Sequence, residues 1–427
     1  MSLADKLTIA ATALIGSVNS LQAEVNDGEW NFSASTLLYS EPDRVSAAEF
    51  IVNANKEYGD SSIFNFKLVV DSLTGASANG AIEQSTPQTF TRPSGNGQFV
   101  IDANNTPLDD TFRDSRIQIN ASWSDQFTEE SRYTIASNIS KEYDFSSFSV
   151  NGEIAKDFNQ KNSTLSVGLS FGQDEYSPEG DLPIAFSSMV IDQGQYSTRD
   201  DFWTAYHATR GDASDSISTS EILLGFTQVI NRQALMQFNY SYSNAEGYLT
   251  DPFKILSVVD TTGNTQNLVY EKRPDSKKQQ SIFGLLKYHL DQSIFDISYR
   301  YLTNDWEIKS STLDMHWHFF SDDNSFWEPH VRLYQQDAAD FYTPYLTNTT
   351  ALPEFASADY RIGKMSAYTV GLKYGFQLSN EDKVEIRFEY YKQTPEQANQ
   401  PQGVSGLSEL ELYPEVDALI LQVNYFF

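Results

Sequence analysis

Apolar and polar residues alternate along most of this chain. In residues 116–124, Ile117, Ile119, Ala121 and Trp123 form one phase; Gln118, Asn120, Ser122 and Ser124 form the other. In 64–71, Phe64, Phe66, Leu68 and Val70 oppose Asn65, Lys67, Val69 and Asp71. In 384–391, Val384, Ile386, Phe388 and Tyr390 oppose Glu385, Arg387, Glu389 and Tyr391. A period of two puts the two phases on opposite faces of a strand. A soluble sandwich also alternates, but its strands are mostly about 5–6 residues long. Here the alternating runs last roughly 10–14 residues, the length a tilted membrane strand needs.

The pattern predicts sixteen strands, near 29–40, 44–57, 62–72, 112–126, 131–143, 145–158, 163–174, 219–231, 233–244, 278–290, 293–304, 308–320, 326–337, 364–378, 383–393 and 414–427. Every second connection is short and polar, such as "YGDSS", "FTEES", "NRQ" and "DQS". The long segments 73–111, 175–218, 245–277, 338–363 and 394–413 all fall on the other parity. Short periplasmic turns and long outer loops are the asymmetry of a bacterial barrel, as is an even strand count. The predicted fold is therefore a 16-stranded antiparallel transmembrane β-barrel, porin-like, over residues 24–427.

The chain ends in "ALILQVNYFF", with Leu419, Leu421, Val423, Tyr425 and Phe427 in one phase. In a closed barrel the last strand pairs with the first, so no edge is left in lipid. A terminal aromatic above alternating apolar residues resembles the signal that the barrel-assembly machinery reads. At the other end, Lys6, the apolar run "LTIAATALIGSV" and Ala23 have the layout of a cleaved secretory signal over residues 1–23.

Composition narrows the chemistry. The net charge is −29 and the pI about 4.4, which leaves no basic footprint for nucleic acid. There are no cysteines, so disulfides and thiolate sites are excluded. No phosphate loop, dinucleotide fingerprint or haem attachment motif occurs, and no cofactor is expected.

The segments "TLLYSEPDRVS", "KLVVDSLTGASANGA", "QTFTRPSG" and "FRDSRI" resemble an uncharacterised family of Gram-negative outer-membrane β-barrel proteins, a domain of unknown function. The resemblance implies a barrel in the outer membrane among lipid and lipopolysaccharide. Members of that family are often encoded beside a small lipoprotein and extracytoplasmic flavin-transfer and thioredoxin-like proteins, so the resemblance also implies a small periplasmic or lipoprotein partner and envelope redox or metal handling. It assigns no site residue.

By phase, Glu41, Glu49, Lys67, Asp71, Asp114 and Arg116 point into the lumen. They read either as a transverse charge network across a solute path or as locally paired, solvated wall residues. His289, His316, His318 and His330 also take the lumen phase, toward the periplasmic ends of their strands. His316 and His330 come opposite each other if the hairpin turns near Asp323. With Asp314 or Glu328 they suit zinc or copper, or else they fill a polar lumen. "DSLTGASANG", with Gly75 and Gly80, suits a tightly folded loop. The connection 175–218 is long enough to carry a short helix or plug the mouth, and its "IAFSSMV" is apolar enough to pack inside or against the rim. His207, in an outer loop beside Asp200, Asp201, Asp212 and Ser214, is the one candidate for triad chemistry, but no nucleophile elbow accompanies it. The sequence therefore predicts a non-enzymatic pore or transport channel for small solutes or ions, cation-preferring from its acidity. The alternative is a non-conducting barrel that anchors or sheathes an envelope partner; a lumen plugged through apolar contacts would favour it.

Overall fold

A computed structural model describes residues 28–427 apart from 43, 60, 76–77, 110–112, 323, 379–381, 408–411 and 414. The expected signal segment, residue 112 and the hairpin turn at Asp323 lie outside the described residues.

Twenty-one strands are described, and sixteen close into a barrel. The first seven barrel strands are β1 (Trp30–Ser40), β2 (Ser46–Tyr58), β3 (Ser62–Thr74), β6 (Arg113–Thr128), β7 (Ser131–Lys141), β8 (Phe145–Phe158) and β9 (Ser163–Tyr176). The other nine are β10 (Asp215–Val229), β11 (Ala234–Gly247), β14 (Ser276–Leu290), β15 (Ser293–Asn304), β16 (Lys309–Asp322), β17 (Ser325–Gln336), β19 (Met365–Gln377), β20 (Lys383–Pro395) and β21 (Val416–Phe426). Each pairs antiparallel with its sequence neighbour, and β21 returns to β1. Phe32 and Phe427 exchange backbone hydrogen bonds of 3.1 and 3.0 Å, so the chain end closes the sheet. The connection parity holds throughout.

The outward phase is apolar and exposed: Phe50, Val70, Ile117, Ile135, Leu169, Leu224 and Phe388 are examples. All five residues of the predicted C-terminal signal face this side. At the short-turn end an aromatic girdle includes the pairs Tyr58–Trp123, Phe127–Tyr133 and Trp327–Tyr374. Rings with an apolar body and a polar edge suit a membrane interface. Such a belt is unstable in water and stable in lipid, where closing the ladder leaves no free sheet edge. The protein is a transmembrane β-barrel.

The five remaining strands belong to the outer loops: β4 (Gln88–Thr91), β5 (Gln98–Ile101), β12 (Ile255–Val259), β13 (Thr265–Tyr270) and β18 (Leu346–Thr347). The predicted loop helix is present as α1 (Arg199–His207), opened by a capping box between Thr198 and Asp201. The loops fold into a cap with three apolar clusters. One gathers Ile82, Val259, Tyr345, Ile362 and Leu407 onto Ile217, an inward residue of β10. The β12–β13 hairpin is the hub. Ile255 N–H donates to Asn79 O, Met189 N–H to Leu268 O, and Asn348 N–H to Val259 O. "IAFSSMV" packs into the cap, through Phe186 and Met189. At Gly80 (φ +101°) a Cβ would strike the Ile255 carbonyl, so the loop lies against the hairpin only as glycine.

A buried ionic cluster fixes the hub. Arg273 bonds Glu271 at 2.6 Å and Asp359 at 2.7 Å. Arg361 bonds Asp359 and Asp251, and Lys254 donates to Ala78 O at 2.6 Å. Glu271 and Asp359 are 1% and 0% exposed. Burial opposes ionisation of Asp359, yet Arg361, Arg273 and Lys254 hold its carboxyl well below the usual carboxylate range.

Candidate functional site: the lumen wall

Two charged constellations line the barrel. On the first wall, Glu49, Asp71 and Arg116 are consecutive in register across β2, β3 and β6. Arg116 Nε lies 2.6 Å from Asp71 and its Nη2 lies 3.6 Å from Glu49. The other predicted members stand apart. Glu41 is in the β1–β2 connection, 3.3 Å from Arg44, and accepts from Tyr39 at 2.6 Å. Asp114 sits near the outer rim with Glu142 and Asp144, close enough for one carboxylate oxygen of each to meet. Lys67 lies lower on β3, between Asn53 and Asn120. The expected six-residue network is therefore a triad plus three separate groups. Alternation gave their common face but not their heights.

The second wall is built on β16, β17 and β20. His316 and His330 are direct cross-strand partners. Their rings stack at 4.2 Å with 6° between planes. Asp314, two residues before His316, reaches both rings. Its Oδ1 is 2.9 Å from His316 Nε2, and its Oδ2 is 3.3 Å from His330 Nε2. The opposite ring nitrogens meet glutamates: His316 Nδ1 is 3.3 Å from Glu328, and His330 Nδ1 is 2.8 Å from Glu389. Lys373 holds Glu328 at 2.9 Å, and Arg387 stands 3.6 Å from Glu389. His330 and Glu389 are 9% and 5% exposed.

Glu389 is the member that sequence reading missed, although its place in the polar phase of β20 was visible. It lies on the second strand from His330, with Gly371 of β19 between them in register. A Cβ on Gly371 would come within 2.5 Å of Glu389 Cγ. Glycine leaves the gap through which Glu389 reaches the imidazole.

Two predicted histidines differ. His318 binds the other oxygen of Glu328 at 3.1 Å and stacks on Phe326 at 4.1 Å. His289, on β14, is exposed near the periplasmic turn and pairs in register with Ile294. It is outside the cluster. His316 and His330 stand near mid-strand, higher than the periplasmic placement expected for them. His207 ends α1 with its ring stacked 5.4 Å from Trp203. Among the described residues no serine or carboxylate is bonded to it.

A family profile described as "Protein of unknown function (DUF3570)" matches residues 4–427. No curated protein matches the chain. Solved barrels align over most of it. The monoaromatic hydrocarbon channel CymD does so over 94% of this chain and 89% of its own, at 9% identity and TM-score 0.40. A bacterial polysaccharide outer membrane secretin does so over 94% and 99%, at 6% and 0.44. The siderophore receptor PirA from Acinetobacter baumannii does so over 87% and 54%, at 10% and 0.41, so the chain spans about half of that receptor. Likeness at this level is one of fold.

Proposed function

Because the chain belongs to the family of unknown function DUF3570, its activity has to be read from its own residues, and we propose that it is a gated outer-membrane channel for small solutes or ions. The observation that carries this is the contrast between the two ends of the lumen. Below the cap, the inward phase of β7–β10 carries many small polar residues beside Glu153, Glu221 and Leu223. Asn138, Ser149, Asn151, Ser166, Ser170 and Gly225 line it and are partly exposed. A barrel of sixteen strands whose wall carries such short side chains has room for water and solute. At the outer end the folded cap covers the mouth and acts as the gate. The net charge of −29 supports a preference for cations.

One observation favours the second reading, a non-conducting barrel that sheathes an envelope partner. The cap packs apolar residues against inward positions of the upper wall, among them Ile217. Single-channel recording separates the two. A channel gives cation-selective openings, more frequent and larger when residues 251–273 are replaced by a short Gly-Ser linker. A barrel that stays silent with that hub removed sinks the channel reading.

A further inference from the structure

We propose that Asp314, His316 and His330 form a lumenal binding site for one divalent first-row transition metal, of the zinc or copper class. The inference concerns binding alone and stands whether or not the barrel conducts.

The donor set is of the right chemistry. Two imidazole Nε2 atoms and one carboxylate converge, with their ligand atoms all within 4.8 Å of one another. Imidazole with carboxylate suits zinc, copper and other first-row metals, whereas calcium and magnesium take oxygen donors. The stacking of the two rings puts both Nε2 atoms on the side of Asp314. A metal there takes the place of the protons that the Nε2 atoms present to the carboxylate, and it releases them to solvent.

What separates this from an ordinary polar cluster is the next layer outward. Metal-binding histidines usually donate their second N–H to a carboxylate, which fixes the ring and strengthens the ligand. Both rings here have that partner: Glu328 for His316 and Glu389 for His330. Lys373 and Arg387 stand beside those two glutamates, each at the same carboxylate oxygen that the histidine meets. Asp314 is left as the carboxylate that faces both Nε2 atoms. A further acceptor lies next to the site. Asp296 is the register partner of His316 on β15, and its Oδ1 is buried with no hydrogen-bond partner. The opposing influence is Arg332, the register partner of Asp314.

The test uses the full-length untagged barrel in detergent, titrated with Zn²⁺ and with Cu²⁺ by calorimetry, and Cu²⁺ electron paramagnetic resonance. Heat-modifiable gel mobility checks that each variant is folded. The expected result is one metal per barrel, nitrogen hyperfine splitting from two imidazoles, and proton release seen as buffer-dependent heat. The double variant His316→Gln with His330→Gln loses at least 100-fold in affinity, and His289→Gln loses nothing. Glu389→Gln, a change in the orienting layer, costs about 10–100-fold, and Arg332→Gln tightens binding. If the double variant does not fold, Asp314→Asn carries the same expectation. Absence of stoichiometric binding, or binding that His316, His330 and Asp314 substitutions leave unchanged in folded protein, overturns the site.

Discussion

Gly371 shows how much one missing side chain controls. Glu389 reaches His330 across a strand only because β19 carries a hydrogen at that position. Gly371→Ala is expected to displace Glu389 and cost about 1–3 kcal/mol through overpacking, measured as a shift in the denaturant midpoint of the barrel. Arg273 is a second such residue. Its removal leaves Glu271 and Asp359 buried without their common cation. Breaking a buried pair in this way costs about 3–5 kcal/mol. Arg273→Ala is expected to loosen the cap while the barrel stays folded, seen as faster amide exchange in residues 248–275 and 337–364 but not in the barrel strands. Asp144 brings pH to the outer rim. Burial, then the nearby Asp114 carboxylate, push its carboxyl up to about 6. A group raised in the folded state stabilises fully below its unfolded value of about 3.9 and loses that contribution as pH rises through about 6. Asp144→Asn removes this loss. At pH 8 the variant should protect amides around 142–144 better than the native chain, and at pH 4 the two should be alike.

Among the elements, two behave differently from ordinary strands and loops. Strand β21 is a closing strand, and Phe427, the residue that follows it, completes the ladder with Phe32. Its ring also stacks on Phe32 at 5.9 Å. Deleting Phe427 removes two backbone hydrogen bonds and part of the girdle. The expected outcome is a marked fall in heat-modifiable, folded barrel in the outer membrane, with little change in total synthesis. The β12–β13 hairpin is the other. It bridges four loops that are far apart in sequence, through Asn79, Met189, Asn348 and Leu407. Gly263 faces Leu407 so closely that a Cβ would lie 2.9 Å from its Cγ. Replacing this hairpin should therefore dissolve the cap as a unit rather than loosen one loop.

At the level of the complete barrel, lipid belt, polar lumen and folded cap are three layers with separate energetics. The belt is stable only in a membrane, the cap has its own apolar clusters, and the lower lumen is lined with polar and charged groups. Removal of the cap is thus expected to change conductance while the barrel stays folded, with only the upper wall around Ile217 loosened, which thermal unfolding of the hairpin-replaced chain would check.

The period of two, the strand lengths and the parity of connections were legible in the residues, and they gave sixteen strands with the right face inward. This follows from local physics: a strand exposes alternate side chains to lipid and to lumen, so each position's chemistry reports its face. Strand ends were less legible, as at β10, which begins at Asp215 rather than 219. The loop strands and the ionic hub were not visible, because a cap is made of contacts between segments that have no periodicity and lie far apart in sequence. The histidine cluster divides along the same line. Alternation put four histidines inside, and hairpin register paired His316 with His330. Which carboxylate reaches which ring depends on strand stagger and on the gap at Gly371, and those exist only once the sheet has closed.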